Sequence, residues 1–264
     1  MKNLDNQIFQ DRRKRFLSKL NGKAAIIPGA KLVQHHADCE YPFRQESNFW
    51  YLTGFDEPDA IALFLSHKPM GERYILFVHP KNIESEVWNG FRWGVNGAEN
   101  VFKADKSHSI SEFEKELPNY LMGADEIVFS IGKFPEIESI VLSLWSKQID
   151  NYSRVGTAPL AIEPPGVYLN QMRLIKSQHE IIRMREAVKV SAEAHELVRT
   201  NLGNKKNEKQ IQGLLEGFFL DKETRGPAYN IIAASGDNAC VLHYTANNSE
   251  LKKGDLLLVD AGCS

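Results

Sequence analysis

Short apolar runs bounded by turn residues alternate with stretches of helical period along the first part of the chain. "AAIIPG" (Ala24–Gly29), "AIALFLS" (Ala60–Ser66), "RYILFVH" (Arg73–His79) and "EIVFS" (Glu126–Ser130) are nearly continuous in apolar residues, as strands covered on both faces are. The middle pair is joined by "HKPMGE" and reads as a hairpin. Residues 8–20 carry Ile8, Phe9, Phe16, Leu17 and Leu20 on one side of a helical wheel, and Ile110–Leu121 and Phe134–Lys147 show the same period. Strands alternating with helices predict an α/β layer architecture with a covered sheet.

The texture changes at residues 151–172. "GTAPLAIEPPGVYLNQMR" is rich in proline and glycine, shows neither period, and reads as an interdomain connection. Just beyond it, "SQHE" (Ser177–Glu180) has the spacing of a capping box, which starts a long helix expected to reach Thr200. A further helix is expected over Asn207–Leu220, with Ile211, Leu214, Leu215, Phe218 and Phe219 turned to a core. "YNIIAAS" (Tyr229–Ser235) and "CVLHYT" (Cys240–Thr245) read as strands around "GDN", where Gly236 and Asn238 suit positive φ. Leu256–Val259 reads as a fully buried last strand. The expected domains are 1–171 and 172–264, and the core of the latter is expected to be unfinished.

Composition adds exclusions. Of 264 residues, 42% are hydrophobic and 25% charged, as in ordinary globular chains. A net charge of −2 and a pI near 6.5 show no bias toward nucleic acid or an anionic membrane. The basic run "DRRKRFLSKL" (Asp11–Leu20) reads as the solvated face of the first helix. No apolar stretch approaches the ~20 residues that span a bilayer, and "MKNLDNQIFQ" lacks the apolar core of a secretory leader. Cys39, Cys240 and Cys263 form neither a CxxC pair nor a disulfide framework, so a reducing cytoplasm is expected.

Candidate chemistry is sparse. Asp260 follows the last strand within "GDLLLVDAGCS" (Gly254–Ser264), where a carboxylate either caps a turn through local backbone N–H groups or serves as a metal ligand. His243, in "VLHYT", is either a satisfied strand residue or a donor to a substrate carbonyl. In "YPFRQESNFWYLTGFDEPDA" (Tyr41–Ala60), Phe43, Phe49, Trp50 and Tyr51 are expected to pack on the sheet. Trp88 and Trp93, in "EVWNGFRWG" (Glu86–Gly94), lie in a loop short of aliphatic residues, which leaves local packing or an interface or substrate wall. P-loop, dinucleotide and serine-elbow signatures are absent.

The segments "YPFRQESNFWYLTGFDEPDA", "EVWNGFRWG", "MRLIKSQHEIIRMREA", "YNIIAASGDNACVLHYT" and "GDLLLVDAGC", in this order, resemble the bacterial Xaa-Pro aminopeptidases (aminopeptidase P) among the creatinase/prolidase-like metallopeptidases. The resemblance covers essentially the whole chain. It implies an N-terminal domain with a mixed sheet flanked by helices, followed by an α+β pita-bread catalytic domain. It further implies a cytoplasmic homo-oligomer, tetrameric in relatives, that uses two Mn²⁺ ions to release an N-terminal residue preceding proline. Under it, Asp260 matches a metal-binding carboxylate, His243 a residue lining the substrate pocket, and Trp88 a tryptophan that approaches a neighbouring subunit's active site. Manganese suits carboxylate oxygens, and a pocket shaped for the proline ring can select a tertiary amide without an N–H. The resemblance also implies four ligands beyond Asp260, another Asp, a His and two Glu, and none lies within Ser264. The expectation is therefore a truncated aminopeptidase P, inactive by itself, unable to bind Mn²⁺ tightly, and exposing part of the core of its latter domain with a strand edge. Two alternatives remain at this point: a non-catalytic peptide- or protein-binding module of the same fold, and a proline dipeptidase.

Overall fold

The structure, a computed structural model, describes residues 6–264; residues 1–5, on which the reading of a leader partly falls, lie outside them. The chain forms two compact units, Met1–Leu174 and Ile175–Ser264.

The first unit runs α1 (Asn6–Leu20), β1 (Ala24–Pro28), β2 (Gln34–His36), β3 (Cys39–Glu40), α2 (Ser47–Thr53), β4 (Ile61–Leu65), β5 (Tyr74–Val78), α3 (Ile83–Asn89), α4 (Gly94–Asn100), β6 (Lys106–Ser109), α5 (Phe113–Leu121), β7 (Ile127–Val128), α6 (Pro135–Asp150), α7 (Tyr152–Val155), β8 (Ile162–Glu163) and α8 (Gly166–Leu174). Its six-stranded sheet has the order β6-β5-β4-β1-β7-β8. β4 is antiparallel to β1 and β5, while β6, β7 and β8 join in parallel, so the sheet is mixed. Side chains of β1, β4 and β5 alternate between two cores. Ala25, Ile27, Ala62, Phe64, Tyr74, Leu76 and Val78 face one, with Phe16 and Leu20 of α1, Leu52 of α2 and Leu169 of α8. Ala24, Ile26, Leu63, Leu65, Ile75 and Phe77 face the other, with Phe113 and Leu117 of α5 and Val141 of α6. Both faces are covered, which is why these strands are apolar throughout.

The basic run corrects one expectation. Arg12 and Arg13 are buried. Their guanidinium groups donate to the carbonyls of Tyr51 (3.2 Å) and Leu52 (3.0 Å) at the end of α2. They also lie over the rings of Tyr51 and Tyr74, at 4.1 and 4.3 Å. These orphan helix carbonyls and aromatic faces satisfy two cations that the local sequence alone leaves to water. β6 is a further departure: "KSHS" has no apolar alternation and pairs only as a parallel edge strand. Residues 151–172 are not an irregular connection. They hold α7, β8 and most of α8, whose Leu169 and Met172 are buried, so the expected boundary at 171/172 falls inside a helix.

The second unit contains α9 (Gln178–Asn201), α10 (Glu208–Asp221), β9 (Ile232–Ser235) and β10 (Leu257–Asp260). The capping box is formed as expected: Ser177 Oγ accepts from Glu180 N, and Glu180 Oε2 accepts from Ser177 N at 2.8 Å. Ala194 and Val198 of α9 pack with Ile211, Leu215 and Phe219 of α10 and with Ala233, Ala261 and Cys263. β9 and β10 form a two-stranded antiparallel sheet. β10 is not fully buried. Leu257 and Val259 turn to the core, whereas Leu256 is 83% and Leu258 42% exposed, because the outer face of this sheet has no covering layer among the described residues. "CVLHYT" is not a strand either. Gly236 (φ 54) turns the chain after β9, one turn of tight helix spans Gly236–Cys240, and an irregular loop follows. Asn238 does not take the left-handed conformation expected of it; Asn247 (φ 47) does.

Candidate metal and substrate site

Asp260 is the last residue of β10, opposite Ile232 of β9, with its side chain exposed. The Tyr229 hydroxyl donates to Asp260 Oδ1 at 2.7 Å. That bond, together with burial, raises the Tyr229 pKa, so its proton stays in place and one carboxylate oxygen is oriented. The backbone beyond Asp260 is held on two sides. His195 of α9 bonds to the Ala261 carbonyl at 3.0 Å, and Cys263 N donates to Ser191 Oγ at 3.1 Å. Ala228 N donates to the Gly262 carbonyl at 2.8 Å, and Ser264 N to the Gly226 carbonyl at 2.9 Å. Asp260 thus stands on a fixed backbone, and its carboxylate is not consumed by capping its own turn.

A lone carboxylate does not make a dinuclear centre. Among the described residues no three His, Cys, Asp or Glu side chains converge in a group able to hold a metal ion. The cysteines do not change this: Cys39 and Cys240 are exposed, and Cys263 is buried with its thiol 3.4 Å from the Ala187 carbonyl.

His243 lies in the loop between β9 and β10, exposed rather than seated on a half-buried strand. It is neighboured in sequence by Val241 and Leu242, which are 53% and 85% exposed. The loop itself is strongly anchored by residues that the sequence pattern did not single out. Glu208, fully buried at the start of α10, accepts from Ser235 N (2.7 Å), Ser235 Oγ (2.8 Å) and Asn238 Nδ2 (3.0 Å) through Oε1. Its Oε2 accepts from Tyr244 OH (2.8 Å) and Ser249 N (2.9 Å). Burial alone raises a carboxyl pKa, but here these donors outweigh it and hold Glu208 at about 2. Asn247, also buried, accepts from Ala233 N and donates to the Ile231 carbonyl. Glu208 and Tyr229 read as an ordinary first-turn helix residue and a strand residue, and their side-chain partners lie 27 to 41 residues away. The only local trace is a turn-rich stretch of Asn, Ser and Tyr facing a helix start.

Trp88 belongs to the first unit, near the end of α3. It is 87% exposed, beside Val87 at 79% and Ile83 at 80%, and α3 buries none of its residues. Asn82 caps the helix start, and Gly90 N donates to the Glu86 carbonyl at its end. The following turn is fixed by Glu57 Oε1, which accepts Trp93 N at 2.7 Å, and by Glu86 Oε1, which accepts Arg92 N at 2.9 Å. Trp93 packs edge-on against Phe91 and Phe102. The two tryptophans therefore divide: Trp93 packs locally, and Trp88 does not.

Residues 9–129 match the family described as aminopeptidase P, N-terminal domain, and residues 182–264 match metallopeptidase family M24. The Xaa-Pro aminopeptidase of Escherichia coli (strain K12) is 34% identical over the whole chain. In both parts the chain is similar to the aminopeptidase P family. It is also 36% identical over its whole length to the Xaa-Pro aminopeptidase of Haemophilus influenzae. The fold superposes on the aminopeptidase PepP of Pseudomonas aeruginosa with a TM-score of 0.92 at 32% identity, covering 100% of this chain and 60% of that one. Zinc-substituted E. coli aminopeptidase P in complex with product gives 0.90 at 34% identity, covering 99% and 60%. The chain thus spans about 60% of the length of the relatives it matches. The mixed sheet flanked by helices and the start of a catalytic domain are those of the family. No helix among the described residues is long and apolar enough to cross a membrane.

Proposed function

We propose that this chain forms the N-terminal domain and the opening part of the catalytic domain of an Xaa-Pro aminopeptidase. The observation that carries this reading is the match of both units, in order and over the full chain, to enzymes of that name. In it, Asp260 supplies one carboxylate to a pair of divalent ions, with manganese favoured by oxygen ligands. Such ions polarise a scissile carbonyl and activate a bound water. Tyr229 orients the carboxylate by donating to one of its oxygens. His243 donates to the carbonyl of the bound peptide, and Trp88 belongs to a contact with a second copy of the chain. The protein acts in the cytoplasm as a homo-oligomer on peptides with proline second.

The described residues hold one candidate ligand and no metal cluster, so the 264-residue polypeptide alone is expected to be inactive. The experiment joins residues 1–264 to the part of the E. coli enzyme that this chain does not span. The chimera is expected to bind two Mn²⁺ by metal analysis and to cleave Xaa-Pro tripeptides, and Asp260→Ala is expected to abolish cleavage. A folded, metal-loaded chimera without turnover overturns the reading and favours a peptide-binding module. Cleavage confined to dipeptides favours a proline dipeptidase. Steady turnover by residues 1–264 alone overturns the view that the ligand set is incomplete.

A further inference from the structure

The loop that carries His243 is built around a single buried charge. Its entrance is held through Oε1 of Glu208, by Ser235 and Asn238, and its exit through Oε2, by Tyr244 and Ser249. Glu208 N also donates to the Ser249 carbonyl at 3.0 Å, so residues 208 and 249 are tied in both directions. Tyr244 and Asn238 bond to each other at 3.1 Å across the base of the loop. His243 sits between these anchors, next to exposed Val241 and Leu242. A carboxylate with five donors and a position in the first turn of α10 is far more than that helix start requires, because Asn207 already caps it through Gln210 N at 3.0 Å. It is an acceptor-only group whose oxygens serve opposite limbs of one loop, and no neutral side chain of the same shape can serve both.

We infer that Glu208 is the positioning residue of the His243 loop, closing both limbs of residues 235–249 onto its carboxylate so that His243 is held out in one place for a peptide carbonyl. The placement rests on the reading of His243 given above, but the clamp itself does not. In Glu208→Gln the amide puts a donor against either Ser235 N or Ser249 N, both fixed N–H donors. One limb is released while shape and volume are kept.

The experiment uses the 264-residue chain and two variants, Glu208→Gln and Tyr244→Phe. Amide hydrogen exchange is read across the second unit, and the imidazole signals of His243 are read by NMR. In Glu208→Gln, exchange over residues 236–249 is expected to quicken by about tenfold or more beyond the change seen in α9 and the β9–β10 pairing. The His243 signals are expected to move to the positions of a free, mobile imidazole. Tyr244→Phe removes the hydroxyl's bonds to Glu208, Asn238 and Asn248 without placing a donor against the backbone N–H groups, and a change of about threefold in the same direction is expected. Uniform loss of protection throughout the second unit in both variants would make Glu208 a structural residue only, and unchanged His243 signals would show that the clamp does not place this side chain. Either result overturns the inference. In the active chimera, Glu208→Gln is expected to raise KM for an Xaa-Pro tripeptide with kcat within about twofold, whereas an equal fall in kcat at unchanged KM counts against positioning of the substrate contact. An inactive parent chimera sinks the functional reading and leaves the loop measurement standing.

Discussion

The two units bury their strands by different means. In the first, β1, β4 and β5 are buried at every position, and successive side chains feed two separate cores. In the second, β10 alternates between half-buried and exposed, and β9 has β10 as its sheet partner. The first unit combines apolar burial on both faces of its sheet with buried polar groups at its edge, Arg12, Arg13 and Gln45 among them. The second places more weight on polar anchors, with Glu208 and Asn247 buried and saturated with hydrogen bonds. Asp260 and His243 stand exposed on the second unit rather than enclosed in apolar layers. Buried hydrogen bonds then fix the backbone beneath them.

The largest test of this contrast is a pair of truncations. Phe64 is fully buried between Phe16 and Tyr74, and Phe64→Ala is expected to cost the first unit about 3–5 kcal/mol in urea unfolding. Leu258→Ala, on the open face of β10, is expected to cost under about 1 kcal/mol. Equal losses would remove the distinction between the two units. A fragment ending at Leu174 is expected to unfold in one cooperative transition, since its sheet is covered on both faces without the second unit. A broad, non-cooperative melt of that fragment would break the comparison outright.

Acid separates the units next. Glu208 is held at about 2, below the usual carboxylate value of 4.5, so the folded state binds this proton less readily than the unfolded chain. Its contribution is complete above pH 4.5 and is lost as pH falls toward 2, a window worth up to about 3 kcal/mol. Urea midpoints of the second unit are expected to fall steeply over this window, and Glu208→Gln is expected to flatten the dependence while lowering stability near neutrality. An unchanged slope in the variant would place the acid sensitivity elsewhere. In the first unit, burial works against the Glu163 carboxyl, but bonds from Lys23 and Tyr168 prevail and hold it below its usual value. The same sign applies there, with a shallower slope because the ion pair is partly solvated.

What the sequence made legible follows the same division. Regular elements with a local signal were readable: the buried runs of β1, β4 and β5, the hairpin, and the Ser177–Glu180 capping box. Arg12 and Arg13 were misread because their acceptors, the carbonyls of Tyr51 and Leu52, lie 39 residues away. "CVLHYT" was misread because apolar residues suggested a ladder, whereas Asn238 and Tyr244 are drawn to Glu208 instead. Of the candidate site, Asp260 and His243 were visible as residue types, but Tyr229 and Glu208, which set their surroundings, carry no local mark. Polar anchoring is nonlocal in both units, so the residues that depend on it are the harder ones to read.

The smallest expected effect on stability belongs to the residue with the largest exposed apolar surface on α3. Trp88 is 87% exposed on a helix that buries none of its residues, so its side chain gains little from folding of its own chain. Trp88→Ala is expected to shift the unfolding midpoint of the first unit by less than about 0.5 kcal/mol. Trp93→Ala, by contrast, removes edge contacts with Phe91 and Phe102 and is expected to cost about 1–2 kcal/mol. An exposed tryptophan that does not stabilise its own fold is the signature of a surface kept for contact. In the chimera, Trp88→Ala is therefore expected to change association, read by sedimentation, or KM for an Xaa-Pro tripeptide, while leaving the folded fraction unchanged. A loss of stability equal to that of Trp93→Ala would return Trp88 to local packing and remove the reason to treat α3 as an interface.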